Sequence, residues 1–420
     1  MQKFKALIKN PYTIGRPIHS PESLFGRQTI VSFIEEQLTF GAKAIVLHGQ
    51  RRIGMTSCMN YISRSVRVDG FIFIPLSLED KHHSSLDEIL YDFAGDIIDW
   101  LGISRSTITI PSQEDLKLEP RQFVWIFLKE IYSRLDGKSV VLLLDEFDIL
   151  LDDNSSQINP LINFLTSIIN REDKLFIILF LGRRKNSLEF ISYLFDGEVP
   201  RQELGLLNKS DTANLITEIA NGVIQYKPET IKKIWELAGG HPYYTQLLCF
   251  SLFQQARKLN QWNVNRQDIE GIIDESLGKG EAAFVSTTEI LSPREKLVLY
   301  AVAEAQEIAT NSSKSDIFNP LVILEGHHVK LTKKIKEELT KAAEHLVDLG
   351  FLQKIGEQNL GKTIIPVYKV KIELLRLWLL KRFSLQTEIE KIINGLFPQK
   401  SFIEHIWNSG PGKWMRSHNH

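Results

Sequence analysis

The segment at residues 49–57, GQRRIGMTS, has the spacing of a loop that binds phosphate groups. It fits the pattern G-x-x-x-x-G-K-[ST] at every defined position except the lysine, where Met55 stands. Gly49 and Gly54 let the backbone curl so that successive N–H groups converge on phosphate oxygens, and the following helix directs its positive end to the same place. Thr56 adds a hydroxyl that can bind Mg²⁺. The segment therefore predicts a phosphate site without its usual lysine.

Every residue of this segment is a candidate contact for the phosphates, and its two arginines leave two interpretations open. The candidates are Gly49, Gln50, Arg51, Arg52, Ile53, Gly54, Met55, Thr56 and Ser57. Arg51 and Arg52 either face solvent or a neighbouring subunit, or replace the lysine as phosphate cations. Methionine offers neither charge nor an N–H donor, so binding can persist where hydrolysis does not. A natural pseudo-ATPase and a lysine-to-methionine variant would both carry Met55.

An acidic pair further along the chain supplies the second half of this chemistry. Asp145 and Glu146 follow a run of apolar residues. A carboxylate at the C-terminal end of a strand can hold Mg²⁺ through water, and its neighbour can orient the attacking water. We therefore predict Asp145 and Glu146 as catalytic residues, and Thr56 with Asp145 as the metal ligands. Solvated carboxylates at a strand end are the alternative, but two independent segments agree on a nucleotide site.

Four apolar runs must position these residues. They lie at residues 44–48, 71–75, 140–145 and 175–181. None alternates apolar and polar residues, which is typical of strands buried on both faces. Between them, residues 84–100 and 122–135 have helical spacing. The pattern predicts an α/β fold in which a parallel sheet carries helices on both faces.

Beyond about residue 206 the pattern changes to helices. Helical segments are predicted at residues 211–220, 231–238 and 242–258, from Pro293 onward, and at 331–350. Two β-like segments follow the last of these, and helices followed by a two-stranded hairpin are typical of a winged helix. We divide the chain into an α/β domain at 1–206, a helical lid at 207–285, a winged-helix domain at 286–385 and a loosely attached tail at 386–420.

Four further motifs accompany the loop and carry a family resemblance. They are Phe25-Gly26-Arg27, Gly182-Arg183, Gly240-His241-Pro242 and residues 204–216. With the loop, they make the chain resemble the STAND-type branch of AAA+-related P-loop ATPases, which includes archaeal and cyanobacterial ATPases similar to origin-recognition proteins. The resemblance covers about residues 15–385. It implies an α/β P-loop NTPase sheet with a helical lid, followed by a winged-helix domain.

The resemblance also implies a ligand and a function. The site would take ATP or ADP with Mg²⁺, and Arg183 would act as the sensor of the γ-phosphate. The cofactor contacts that it adds to the loop are Phe25, Gly26, Arg27, His241 and Pro242, the first three near the adenine and the last two in the lid. The implied function is a nucleotide-binding regulatory switch with weak or absent hydrolysis. The alternatives are a DNA-binding ATPase similar to origin-recognition factors and an interaction scaffold that binds no nucleotide.

Composition excludes several other classes of protein. The 50 Lys and Arg against 51 Asp and Glu give a net charge of −1, which excludes a chain that binds nucleic acid by its overall charge. A 43% hydrophobic content excludes a disordered or fibrous chain. Cys58 and Cys249 form neither a disulfide framework nor a zinc site. No apolar run approaches the roughly 20 residues that a bilayer requires, so we expect no membrane span and a cytoplasmic protein.

The C-terminal region sets the expected partners. The helix predicted at 331–350 carries Lys333, Lys334, Lys336 and Lys341 against Glu337, Glu338, Glu344 and Asp348. Because these charges cancel, base readout by this helix is not expected. Lysines in or beside the hairpin predict a weak, non-specific DNA contact through the wing. The helix at residues 372–383 is apolar on more than one side, so it either packs inside the chain or forms a surface for a protein partner or self-association.

Overall fold

The computed structural model divides the chain into two compact units. It describes residues 9–17, 24–81, 83–150, 159–182, 191, 195, 198–220, 222–311, 319–327, 329, 331–360 and 363–396. The first unit takes residues 1–235 and 240–270, and the second takes 236–239 and 271–420. Most of the segment predicted as a lid domain therefore groups with the α/β part. The finer boundaries at residues 206, 285 and 385 stay predictions.

The first unit is built on a parallel sheet. Its strands are β1 (Ala44–Gly49), β2 (Phe71–Ser77), β3 (Ser139–Asp145), β4 (Leu175–Gly182) and β5 (Arg201–Leu204). Within the described residues they pair in the order β2-β3-β4-β1-β5, and every pair is parallel. The sequence predicts the first four strands but not β5, because β5 is a short edge strand with mostly polar residues. The predicted α/β class is confirmed.

Alternate residues of the central strands enter two different cores, which explains why those strands are apolar throughout. Leu142 and Leu144 of β3 lie in one core, and Val141 and Leu143 lie in the other. The helices concerned are α1 (Gln28–Thr39), α2 (Met55–Ser65), α3 (Leu86–Leu101), α4 (Gln113–Leu118), α5 (Lys129–Ser133) and α6 (Pro160–Ile169). Helices α3 to α6 close the first core, together with a π-helical turn at Phe123–Leu128, and α1 and α2 close the second.

Local signals set the ends of these helices. Helix α3 begins after Ser85, whose side chain and Glu88 form a capping box, so two otherwise unpaired N–H groups are satisfied. It ends at Gly102, which has a φ of 66° and closes the helix in the left-handed conformation. The predicted helix at 84–100 is therefore confirmed within one or two residues at each end.

A helical module completes the first unit. It consists of α7 (Lys209–Ala220), α8 (Pro228–Ala238), α9 (Pro242–Leu259) and a short parallel pair, β6 (Gln225–Tyr226) with β7 (Asn263–Val264). The segment at residues 9–17 is fastened to this module. The Tyr12 hydroxyl donates to Ile216 O at 2.6 Å, and Asn10 Nδ2 donates to Phe250 O at 3.1 Å. The N-terminal segment thus contributes to the module although it is distant in sequence.

The second unit holds helices and one hairpin. Its elements are α10 (Arg266–Glu289, which begins in the first unit), α11 (Pro293–Asn311), α12 (Pro320–Gly326), α13 (Lys333–Asp348), β8 (Leu352–Leu360), β9 (Thr363–Val370), α14 (Glu373–Arg382) and α15 (Leu385–Leu396). Strands β8 and β9 are antiparallel. A helix followed by a hairpin is the predicted order, and the winged-helix assignment stays a prediction.

The last two helices give the C-terminal region more packed structure than a loose tail. In α14, Leu374, Leu375, Trp378 and Leu379 are buried. Trp378 stacks on Phe284 of α10 and donates its indole N–H to Glu281 at 2.6 Å. In α15, Leu385 and Ile389 are buried. The segment predicted as a tail therefore opens with a packed helix, and residues 397–420 lie outside the described part. Over the described residues, no helix is both long and apolar enough to cross a bilayer.

Candidate functional site

The loop after β1 is shaped to leave a helix N-terminus open. Gly49 is the last residue of β1. A Cβ at Gly49 would lie 2.8 Å from the carbonyl oxygen of Leu204, the last residue of β5, so the close approach of the two strand ends requires glycine. Gly54 has a φ of 98°, and a Cβ there would meet nothing within 4 Å. Helix α2 begins at Met55 with no side-chain cap and no acidic residue in its first turn. The positive end of the helix can therefore attract an anion.

Met55 stands where the phosphate-loop pattern has a lysine, and it places no charge there. Its side chain is partly buried and packs against the core that α1 and α2 close. An apolar side chain gains by burial there, whereas a lysine would carry its ammonium group outward. The loop therefore keeps its backbone geometry while it lacks the charge at this position.

Thr56 and Asp145 meet across the sheet edge. The Thr56 hydroxyl donates to Asp145 Oδ2 at 2.7 Å, which joins the first turn of α2 to the end of β3. Asp145 is 5% exposed. Burial raises the pKa of the Asp145 carboxyl because it disfavours the charged form, and the hydrogen bond from Thr56 offsets part of that rise. The structure thus brings together the two residues predicted as metal ligands.

Glu146 stands beside them in a strained conformation. Its φ is 54°, in the left-handed region that a non-glycine residue rarely adopts, and its N–H donates to Asp145 Oδ1 at 3.1 Å. Although the residue as a whole is exposed, its carboxyl group is partly desolvated. This desolvation and the neighbouring Glu79 both raise the pKa of Glu146. Glu79 follows β2, and the sequence does not predict that it lies near Glu146, because no local pattern relates the end of β2 to the end of β3.

The oxygen atoms at this edge suit Mg²⁺. A hydroxyl and a carboxylate are hard oxygen donors, and Mg²⁺ usually takes one or two protein ligands while substrate phosphates and water complete its shell. The described residues include no cluster of three or more His, Cys, Asp or Glu side chains fit for a metal. A site for a metal held entirely by protein is therefore not found there, whereas Thr56 and Asp145 fit a cation that a phosphate ligand shares.

The guanidinium group of Arg27 is hydrogen-bonded to two backbone carbonyls. It donates to Gly205 O at 2.8 Å and to Ile53 O at 3.0 Å, and the residue is 6% exposed. Burial lowers the pKa of Arg27. The preceding Gly26 has a φ of 66°, and a Cβ there would lie 2.5 Å from the Asp211 carboxylate. Arg27 therefore ties the loop to the chain that enters the helical module, and Phe25 is half-buried beside it.

His241 reaches the same loop from the helical module. Its Nε2 lies 3.3 Å from Arg51 O, and because a carbonyl can only accept, Nε2 carries the proton. The residue is 3% exposed, and burial lowers the pKa of the imidazole to about 3, so the ring is neutral near pH 7. Pro242 follows as the first residue of α9. Thus His241 contacts the loop backbone directly.

The remaining predicted residues take different places. Arg52 has a φ of 61°, and its guanidinium group lies 5.0 Å from the centre of the Tyr243 ring. Arg51 is exposed and lies close enough to Glu146 to lower the pKa of that carboxyl, against the larger effects that raise it. Gln50 is half-buried and Ser57 is buried. Arg183, predicted as the sensor, lies outside the described residues.

Comparisons with known proteins bear on the fold. No family model matches the chain, and no curated protein matches it. The solved Walker-type ATPase of Pyrococcus abyssi superposes with a TM-score of 0.62 at 15% identity, covering 87% of this chain and 98% of that one. The ORC1 protein of Aeropyrum pernix, solved in complex with DNA, gives 0.42 at 15% identity, covering 96% and 98%. The first likeness shows that the chain has the fold of P-loop ATPases.

Proposed function

We propose that the chain binds ATP or ADP with Mg²⁺ and works as a regulatory switch of the STAND type, with weak or absent hydrolysis. The hydrogen bond between Thr56 and Asp145 carries this proposal. It joins two motifs that are distant in sequence. They meet at the edge of the sheet where α2 begins without a side-chain cap. A glycine-containing turn with no ligand would not require a buried carboxylate to meet the hydroxyl of the same loop.

Each proposed contact follows from its place in the site. Backbone N–H groups of residues 49–57 hold the phosphates, and Thr56 and Asp145 hold Mg²⁺, which when bound neutralises charge on the phosphate oxygens. Glu146 orients a water, and its raised pKa suits a group that takes up a proton. On the resemblance, Phe25, Gly26 and Arg27 lie near the adenine, His241 and Pro242 belong to the lid that closes over it, and Arg183 senses the γ-phosphate.

Hydrolysis is expected to be weak because the loop carries no positive charge at the position where the pattern has a lysine beside the β/γ-phosphates. In the transition state negative charge develops on the β/γ oxygens, and a lysine stabilises that charge more than it stabilises the ground state. Met55 packs against the core and supplies no charge. Nucleotide can therefore remain bound while turnover is slow, which is what a switch requires.

The binding experiment uses calorimetry with ADP and ATP, with and without Mg²⁺. We expect binding by the purified chain, an increase in ATP affinity with Mg²⁺, and loss of that increase in Asp145→Asn. The matched control is Asp69→Asn, because Asp69 is an exposed carboxylate in the turn before β2. If the chain binds neither nucleotide and releases none on denaturation, the nucleotide-free scaffold takes the place of this proposal.

The second unit supplies the partner surface in this proposal. We take residues 286–385 as a winged helix in a cytoplasmic protein, with a protein partner or a second copy of the chain as the main contact. The alternative of an origin-recognition-like DNA ATPase is less supported, because lysines of this unit pair with carboxylates. Lys336 pairs with Glu325 at 2.6 Å, and Lys354 pairs with Glu357 at 2.7 Å.

A further inference from the structure

Two carbonyl groups of the phosphate loop are held by donors from outside the loop. Arg27 Nη2 donates to Ile53 O at 3.0 Å, and His241 Nε2 donates to Arg51 O at 3.3 Å. Both donors are almost fully buried. One precedes α1 and the other precedes α9, so two distant parts of the first unit converge on the three residues 51–53. Neither contact is explained by the phosphate pattern itself.

Fixing these carbonyls also fixes the N–H groups that follow them. A peptide unit is planar and trans, so the N–H of the next residue points opposite to the carbonyl. Holding Arg51 O sets the direction of the Arg52 N–H, and holding Ile53 O sets that of the Gly54 N–H. Both N–H groups then point away from the buried donors. A loop that binds anions needs just such an ordered set of N–H groups.

The backbone between these two points is strained, which makes the outside contacts necessary. Arg52 has a φ of 61°, in the left-handed region that a non-glycine residue rarely adopts. Its guanidinium group lies over the ring of Tyr243, the second residue of α9. The same helix therefore contacts the side chain of Arg52 and, through His241, the carbonyl of Arg51. The strained residue is held from the helical module.

We propose that Arg27 and His241 are positioning residues which orient the N–H groups of the loop for the polyphosphate part of a nucleotide, so that phosphate affinity depends on the seating of the helical module. This inference rests on the proposed function and adds a route of regulation to it. Without a lysine, the loop relies on its backbone for anion binding, so the order of that backbone sets the affinity. Any partner that moves α9 would change it.

The charge state of His241 agrees with a positioning role. The imidazole is neutral near pH 7 because burial and the neighbouring Arg27 and Arg52 disfavour its charged form. A neutral ring adds no Coulombic attraction to a phosphate. Its contribution is therefore the direction of one hydrogen bond, which a different neutral donor can replace.

The experiment separates a loop contact from a base contact by using two probes, inorganic tripolyphosphate and ADP. The variants are His241→Leu, which removes the donor, and His241→Gln, whose amide N–H can replace it. We expect His241→Leu to weaken both probes by about tenfold, the value of one good hydrogen bond, and His241→Gln to stay within about threefold of the parent chain. A loss for ADP alone would overturn the inference, because it would place His241 on the base.

A second measurement covers the ligand-free chain. Hydrogen exchange of a peptide spanning residues 49–56 should speed up in His241→Leu and in Tyr243→Leu, and remain slow in His241→Gln. Unchanged exchange in both leucine variants would overturn the inference even if nucleotide binds. If the parent chain binds neither probe, the proposed function fails. The exchange rates alone then decide whether His241 orders the backbone of the loop. Thermal unfolding of each variant shows whether the fold is intact.

Discussion

The phosphate loop and helix α13 place their charged and polar groups in different surroundings. Around the loop, Arg27, Asp145 and His241 are at most 6% exposed, and each contacts the loop. Along α13, the side chains of Lys336 and its partner Glu325 are 44% and 46% exposed. The first region has buried polar groups with defined partners. In the second, Lys336 forms a solvated pair on the surface, although His345 of the same helix pairs with the buried Glu295.

This difference separates a built site from a solvated face. Burying a polar group is costly unless it is hydrogen-bonded, and each buried group around the loop has a partner: Arg27 and His241 contact loop carbonyls, and Asp145 accepts from Thr56. Exposed ion pairs contribute about 0–1 kcal/mol and rearrange easily. A ligand-binding function is therefore expected at the loop. The second unit is expected to have little intrinsic affinity for nucleic acid.

The largest expected effect is a gain of function at the loop. Met55→Lys should raise ATP turnover about ten- to a hundredfold over the parent chain, because a charge-assisted contact to the developing charge is worth roughly 1.5–3 kcal/mol. Phosphate release is measured for the parent, for Met55→Lys and for Met55→Lys combined with Glu146→Gln, which should return to background. Robust turnover by the parent chain would instead assign the cation to Arg51 or Arg52.

The second test disturbs the backbone packing of Gly240, which precedes α9, against Leu207, which precedes α7. Gly240 has a φ of 78°, and a Cβ there would lie 2.2 Å from Leu207 O. Gly240→Ala should lower the free energy of unfolding by about 3–5 kcal/mol, from strain and overlap together. Gly41→Ala is the matched control, because Gly41 has a φ of 79° but open space around it. If urea unfolding shows equal losses of free energy for Gly240→Ala and Gly41→Ala, the overlap at Gly240 is relieved by a shift of the backbone.

The third test uses the pH dependence of stability. The folded-state pKa of His241 is depressed from 6.5 to about 3, so its stabilising contribution is full above pH 6.5 and is lost as pH falls toward 3. Between pH 7 and pH 5 the parent chain should lose about 2 kcal/mol that His241→Gln does not lose. Urea unfolding at both pH values measures the difference. Parallel losses in both proteins would mean that His241 is not held neutral.

The smallest effect is expected in the second unit. Duplex DNA should bind weakly and without sequence preference, with a slope of log affinity against log salt no steeper than about −3, equivalent to roughly three phosphates. Lys336→Ala should change this affinity less than threefold, because Lys336 already pairs with Glu325. Submicromolar, sequence-selective binding at physiological salt would contradict the contrast between the two regions.

The sequence predicts those parts of the molecule that depend on local chemistry. Four strands, the loop at 49–57 and the position of Asp145 at a strand end follow from runs of apolar residues and from glycine spacing. Strand β5 is missed because its residues are polar and its pairing with β1 is a tertiary effect. Local patterns identify which residues could act, but they do not identify neighbours across the fold.

The contacts of Arg27 and Tyr12 show where this limit lies. The resemblance implies that Arg27 lies near an adenine, and it says nothing of the contacts that its guanidinium group makes with the carbonyls of Ile53 and Gly205, the second of them 178 positions away. Tyr12 fastens the N-terminal segment to Ile216 O, 204 positions away. No periodicity encodes either pair. The motif Phe25-Gly26-Arg27 marks Arg27 without giving its partners, and no motif marks Tyr12.

The hydrogen bond from Thr56 to Asp145 has a consequence for how a cation would be held. Asp145 Oδ1 accepts from the Glu146 N–H, and the Thr56 hydroxyl satisfies the second oxygen of this buried carboxylate. On the proposed function, Thr56 and Asp145 would hold Mg²⁺, and its positive charge would take over the role of the hydroxyl proton at the carboxylate. Because the two side chains are already in contact, the sheet edge would need no rearrangement to bring them together.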